Sequence, residues 1–249
     1  GRAPERPRGA DGFRYDSRVD SVSLRNRWDS LCARVGAFKR VEESDLTFDM
    51  LLALYTHPAR AYHNLDHIAQ VLAAFDDVRG LAEDKDCVEF AIWMHDCVYI
   101  AERPDNEERS ADAASMIAGL LGCTPEFIAH VRSLIAVTRH SVPPARGDWA
   151  LIADLDLAIL AAPWEPSPQD AGGGGAGAVM GYNAYRKAIR REFAFATDDQ
   201  FIAGRTAFLQ RMLERERVFH TAYFHQRLDR AARENMEREL DELAKGRFE

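Results

Sequence analysis

The stretch that most constrains the fold is DCVEFAIWMHDCVYIA, residues 86–101. It contains no Gly or Pro, it is apolar at almost every position, and it has the length of a helix. A helix that is apolar all round must be covered on most sides, so several other elements have to pack around it. Inside the same stretch sits a His-Asp doublet, His95-Asp96. A buried carboxylate is costly unless it is paired or holds a cation. The segment therefore predicts a central helix carrying a polar site.

The rest of the chain reads as helix as well. Residues 19–35 place Val22, Leu24, Trp28, Leu31, Cys32 and Val35 mostly at helical spacing. TFDMLLALYTH is a second helix, stopped by Pro58, and a third runs from about Asn64 to Arg79, closed by Gly80. NEERSADAASMIAGLLG ends at Gly122, TPEFIAHVRSLIAVTRH opens with Thr124 as N-cap and Pro125 in the first turn, and GDWALIADLDLAILAA follows. Two long patterns close the chain, roughly 181–195 and 199–246, the latter broken once or twice. No stretch alternates as a strand would, and no internal repeat is visible. The expectation is an all-α helical bundle in one domain over residues 19–249. Residues 1–18, Arg-rich but without the apolar core of a signal peptide, form a disordered lead-in.

Between the last three helices the pattern fails. Residues 163–181 carry three prolines, and six of the eleven residues 171–181 are glycine. The segment at about 165–181 is a flexible surface loop or a mobile lid beside a site.

Lys plus Arg is 32 against 40 Asp plus Glu, a net charge of −8, which excludes a basic footprint for duplex nucleic acid. The four cysteines form no C-x-x-C pair, and four free thiols suit the cytoplasm. No apolar run reaches the length of a membrane span.

His63 and His67 are four apart, which on a helix puts them on one face. His95 and Asp96 lie in one apolar run, and Asp154 and Asp156 in another, LIADLDLAIL. Each site alone could be a satisfied core histidine or a cap. Together they are three sites of metal-ligand type in apolar helices, and a divalent cation accounts for all of them: Mn, Fe, Co, Ni, Zn or Mg.

The ordered set His67, His95-Asp96, Asp156 on an all-helical chain resembles the HD superfamily of metal-dependent phosphohydrolases. RAYHNLDHIAQVLAAF is similar to the Tyr-His-Asn-x-x-His element of cyclic-nucleotide phosphodiesterases. RAYHNLDHI, MHDCVY, NEERSA, TRH, DLDLAIL, YNAYRKAIRREF and ARENMEREL, in that order, resemble a narrower bacterial group of HD phosphohydrolases over residues 20–245. The resemblance implies an HD-domain-like helical bundle, with His67, His95, Asp96 and Asp156 as metal ligands and Asp154 the alternative to Asp156. It implies His63 as the acid that protonates the leaving oxygen. After the doublet the chain reads CVYIAERPDNEE, where the cyclic-nucleotide enzymes carry a further His and a pair of asparagines, so neither a second tightly held metal nor a cyclic nucleotide is implied.

Further candidates stand beside this set. Asp96 could also orient a water. Glu107 is a base near the site or a first-turn carboxylate favoured by the helix dipole. His140 faces the site or caps a helix. Arg60 and Arg190 hold substrate phosphate or are ion-paired surface residues. Tyr182, Tyr185, Ile189 and Phe193 read as packing. The charged C-terminal helix is solvated and amphipathic, or an oligomer contact in a homodimer. The expected activity is hydrolysis of a phosphoester of a nucleotide or other small phosphorylated metabolite. The rivals are a di-iron oxygenase, for which His63, Glu107 and His140 would supply extra ligands, and a metal-binding regulatory module without turnover.

Overall fold

The computed structural model describes residues 21–36, 41–166 and 180–248. The lead-in at 1–18 and the glycine run at 167–179 lie outside the described residues. Among the described residues there are ten α-helices, two short 3-10 helices and no strand. In chain order they are α1 (Ser21–Val35), α2 (Val41–Tyr55), α3 (Leu65–Val78), α4 (Lys85–Met94) and α5 (Asn106–Leu120). These are followed by α6 (Pro125–Val137), α7 (Asp148–Leu157), α8 (Tyr182–Glu192), α9 (Asp198–Leu213) and α10 (Ala222–Ala244). The all-α helical bundle read from the sequence is the observed architecture. No described helix is long and apolar enough to cross a membrane.

Helix α4 is the central element, as its composition requires. It touches α1, α3, α5, α6 and α7, and every residue from Cys87 to Met94 is buried. Trp28 of α1 packs its ring on Phe90 and Trp93 at 5.4 and 5.5 Å, and donates its indole N–H to Thr47. The one charge on α4 that is fully buried, Glu89, is met by Arg27, Arg34 and Arg79 at 2.7–3.0 Å, so its burial is compensated. Asp84 caps the helix by accepting the Cys87 amide.

The helix is shorter than 86–101. It ends at Met94, and His95-Asp96 form a turn rather than a mid-helix doublet. The cause is tertiary: residues 98–100 pair with α5 through Ser110 and Asn106, which take the backbone groups of Val98 and Ile100. That competing set of hydrogen bonds leaves no sequence signal of the Gly or Pro kind.

The C-terminal pattern breaks once, at residues 214–221, between α9 and α10. One face of α10 is buried, including Phe224, Ala232, Met236 and Leu243. Glu239 on that face is 1% exposed. It accepts a fork from Arg205 of α9 at 2.9 and 3.0 Å and the hydroxyl of Tyr182 of α8. One carboxylate thus ties three helices. Removing one partner of such a buried pair typically costs about 3–5 kcal/mol, because the other charge is left uncompensated. Glu239→Ala should therefore lower the urea midpoint strongly at unchanged helix content below the transition. A loss under about 1 kcal/mol would show that water replaces the carboxylate.

Candidate functional site

The site is assembled from helix ends. Asn64 caps α3: its backbone is extended and its side-chain oxygen accepts the Asp66 and His67 amides at 3.0 and 3.2 Å. The helix therefore starts at Leu65, so His63 lies in the turn before it and does not share its face with His67. The two rings nevertheless stand 6.1 Å apart, centroid to centroid. Arg60 fixes this turn against the next. Its guanidinium donates to the carbonyls of His63, Asp96 and Cys97 at 3.0, 2.6 and 2.9 Å. Those bonds staple the His63 turn to the His95-Asp96 turn.

His95 closes α4. Its Nδ1 lies 2.9 Å from the Ile92 carbonyl, an acceptor only, so Nδ1 carries the proton and Nε2 faces away from the helix. Nε2 meets His67 Nε2 at 3.2 Å. Helix α7 supplies the last group. Successive helical residues turn by ~100°, so residues two apart point ~200° apart and cannot face one site. Asp156 faces the histidines. Asp154 faces away and accepts the amides of His220 and Thr221 and the Thr221 hydroxyl, each at 2.7 Å. Asp154 thus anchors the entry to α10. Burial pushes its carboxyl up to about 6 against those three donors.

His67 Nε2, His95 Nε2 and Asp96 Oδ2 all lie within 4.8 Å of one another, and Asp156 Oδ1 reaches both imidazoles. His67 Nε2 is 3.7 Å from Asp96 and 3.4 Å from Asp156, and His95 Nε2 is 3.1 and 3.5 Å from the same two oxygens. Ligand atoms ~2.1 Å from one cation stand ~3.0 Å apart at right angles and ~3.4 Å apart in a tetrahedron. The distances from the two histidines lie within that range or up to 0.3 Å above it, and the imidazole and carboxylate donors are of the kinds that hold a divalent metal of the Mn-to-Zn series.

The charges lead to the same reading. Burial pushes the His67 pKa down. Burial opposes charge on His95 too, but Asp96 and Asp156 outweigh it and raise its pKa well above the ordinary imidazole value. Burial would raise both carboxyls. The His95 and His63 imidazoles hold Asp96 below its usual range, and His140, His67 and His95 do so for Asp156. The cluster demands positive charge, and the His95 proton supplies it here.

A cavity of about 420 Å³ opens on this cluster. Asp96, Asp156, His63, Glu107 and His140 line it. His140 has a left-handed backbone, φ 52°, and its Nε2 lies 2.8 Å from Asp156 Oδ2. Glu107 is in the first turn of α5, and burial, with Asp96 and Asp156 beyond it, raises its pKa. Glu107 thus stands both in the first turn of α5 and on the cavity wall.

Two residues that sequence reasoning missed complete the site. Glu192, at the end of α8, has a fully buried carboxylate. Its Oε1 accepts the Tyr62 and His63 amides at 2.7 and 2.9 Å, and its Oε2 meets His63 Nδ1 at 2.6 Å and the Tyr99 hydroxyl at 3.0 Å. Tyr99 in turn stacks on the His63 ring at 4.1 Å. Burial opposes charge on His63, but Asp96 and Glu192 outweigh it and raise its pKa. Glu192 sits in YNAYRKAIRREF, where one more charge on an amphipathic helix gives no signal of burial.

Arg60 and Arg190 are placed elsewhere than on a substrate. Arg60 is committed to the three carbonyls above, and Arg190 to the Phe193 carbonyl and Asp198 at 2.8 and 2.7 Å; neither lines the cavity. A second donor group, Asp84, Cys87 and His130, has its atoms within 4.8 Å of one another. Its Asp84 is exposed and already spends one oxygen on the Cys87 amide, and burial holds the Cys87 thiol protonated. No family model, curated protein or solved structure matches the chain.

The two aspartates of α7 should separate cleanly. Asp154→Asn removes an acceptor from three converging donors and should cost about 1–3 kcal/mol of stability with metal content unchanged. Asp156→Asn should cost metal instead. Denaturant melts and elemental analysis of both variants check this, and metal loss in Asp154→Asn would exchange their roles.

Proposed function

We propose that the chain is a metal-dependent phosphohydrolase of the HD type. The observation that carries this reading is the convergence of His67, His95 and Asp96, with Asp156 reaching both imidazoles, at distances of 3.1–3.7 Å from the histidines, beside His63, which lines the same cavity and is paired with the buried Glu192. Bound by those four residues, a divalent cation would acidify water and neutralise charge on a phosphoryl oxygen.

The chain's own residues do the rest. Glu192 fixes His63 through Nδ1 and the backbone, which leaves Nε2 as the atom that gives up a proton. Asp96 and Glu192 outweigh burial and raise the His63 pKa, which favours the protonated form. As the oxygen of water forms the new bond to phosphorus, the bond to the alcohol breaks and the leaving alkoxide takes the His63 proton. Tyr99, stacked on the ring, keeps it from rotating. Glu107 lies in reach of the same cavity as a group able to receive the proton lost by water.

A second reading keeps some support. His140 sits on the outer oxygen of Asp156, and Glu107 lines the same cavity, so a second metal would find ligands. That is the arrangement a di-iron oxygenase needs. Metal counting separates the two, and absence of any turnover would favour a regulatory module.

The hydrolase reading expects about one tightly held metal per chain, lost in His95→Ala, and phosphate release that chelation abolishes. His67→Asn should lose metal and fail on every substrate. His63→Asn should keep metal and slow hydrolysis of alkyl phosphates by ~10²–10⁴. The defect should shrink for a nitrophenyl ester, whose leaving group needs little protonation. Glu192→Gln should show the same leaving-group dependence in milder form. Equal metal loss from His63→Asn and His67→Asn would make His63 a ligand and move the oxygenase ahead.

A further inference from the structure

The cavity wall beyond the polar cluster comes from two helices. On α8, Tyr185 and Ile189 are one turn apart, with Phe193 following. On α9, Phe201, Gly204, Arg205, Phe208 and Arg211 recur every three or four residues and so share a face. Leu157, Ile159 and Leu160 complete the apolar part.

Three polar side chains of this wall, Arg205, Thr138 and Gln200, already hold hydrogen bonds within the protein. Arg205 is forked onto Glu239 and donates to the Tyr185 hydroxyl at 3.3 Å. The Thr138 hydroxyl donates to the Ile135 carbonyl, and Gln200 turns its carbonyl oxygen to the Thr197 amide in the capping box of α9. A sugar hydroxyl or a base edge entering such a wall gives up water without a matching partner, at roughly tenfold to a hundredfold in affinity for each buried group. An alkyl or aryl group gains instead, by about fourfold per methylene. Arg139 and Arg211, both exposed and in no ion pair among the described residues, place two cationic groups on the cavity wall in a chain of net charge −8. That favours a dianionic monoester.

We propose that this cavity selects a phosphomonoester with an apolar alkyl or aryl body over one whose body is a sugar or a nucleoside, and that the α9 face at Gly204 sets the length it accepts. The proposal rests on the phosphohydrolase reading. Gly204 is the position where the wall is open: a Cβ built there meets nothing within 4 Å. A larger side chain at 204 extends into the free space without strain.

The test uses the metal-loaded full chain and primary phosphates that share one leaving-group chemistry: methyl, butyl, hexyl and octyl phosphate against ribose 5-phosphate, glucose 6-phosphate and 5′-AMP. The expected result is a kcat/KM that climbs about fourfold per methylene until the cavity is full, with hexyl phosphate well ahead of all three polar esters. In Gly204→Leu the ratio of octyl to methyl phosphate should fall at least about tenfold, from the few methylenes displaced. A flat alkyl series, or faster turnover of a sugar phosphate or of 5′-AMP, overturns the proposal. If no phosphate is released from any ester, the hydrolase reading fails by itself. Calorimetry with methyl- and hexylphosphonate then decides the cavity: tighter hexylphosphonate binding sustains the apolar selectivity, and equal binding overturns it.

Discussion

Two carboxylates and two imidazoles share a largely buried cluster, and the fold has to supply the positive charge they require. Asp96 and Asp156 side chains are 11% and 18% exposed, and the two histidines 2% each. Leaving water costs an isolated ion several kcal/mol, repaid only by close partners of opposite sign. In the chain itself the His95 proton does this, held between both carboxylates. A divalent cation in its place would deliver more charge to the same oxygens. The buried pairs elsewhere differ in kind. Glu89 has three arginines and Glu239 has one arginine and one tyrosine, so each is already neutralised by the protein.

The way the four groups are brought together explains why so many helices are needed. None of them comes from the middle of a helix that faces the site along its length. His67 follows the Asn64 cap, His95 and Asp96 follow the end of α4, and Asp156 is next to the last residue of α7. Helix ends can be aimed independently, whereas residues within one helix are fixed relative to each other. The aim is then held by long-range bonds to backbone: Arg60 to the His63 and Asp96 carbonyls, Ser110 and Asn106 to the strand-like residues after Asp96, Glu192 to the Tyr62 and His63 amides.

The sequence shows the helices and the residue types of the cluster well, because both depend on local pattern. The apolar run with its central His-Asp doublet marks the core and the site in one stretch. That only one of Asp154 and Asp156 can join His67 and His95 was readable from helical geometry, since two residues ~200° apart cannot face one point, but which of them does so depends on the distant partners His220 and Thr221. The start of α3 was also readable, because Asn64 three residues before His67 has the offset of a capping residue. It places His63 outside the helix. What could not be read is whatever depends on distant partners. The end of α4 is set by α5. Glu192 is 129 residues from His63, in a helix whose charges resemble those of any surface helix. Arg60 and Arg190 carry no mark that tells a substrate-binding guanidinium from one spent on carbonyls.

His140 shows how local strain and the site are linked. A non-glycine residue at φ 52° gives up about a kcal/mol that Gly or Asn would largely keep, so something must hold it there. Two contacts do. The imidazole bonds the outer oxygen of Asp156, and the His140 carbonyl accepts from Arg215 in the break between α9 and α10. With one oxygen of Asp156 bound to His140 and the other aimed at His67 and His95, the carboxylate cannot rotate about its last bond. Its free oxygen therefore stays pointed at the cluster. The strain at residue 140 is the cost of that orientation, and glycine there would relieve the backbone while releasing the carboxylate it serves.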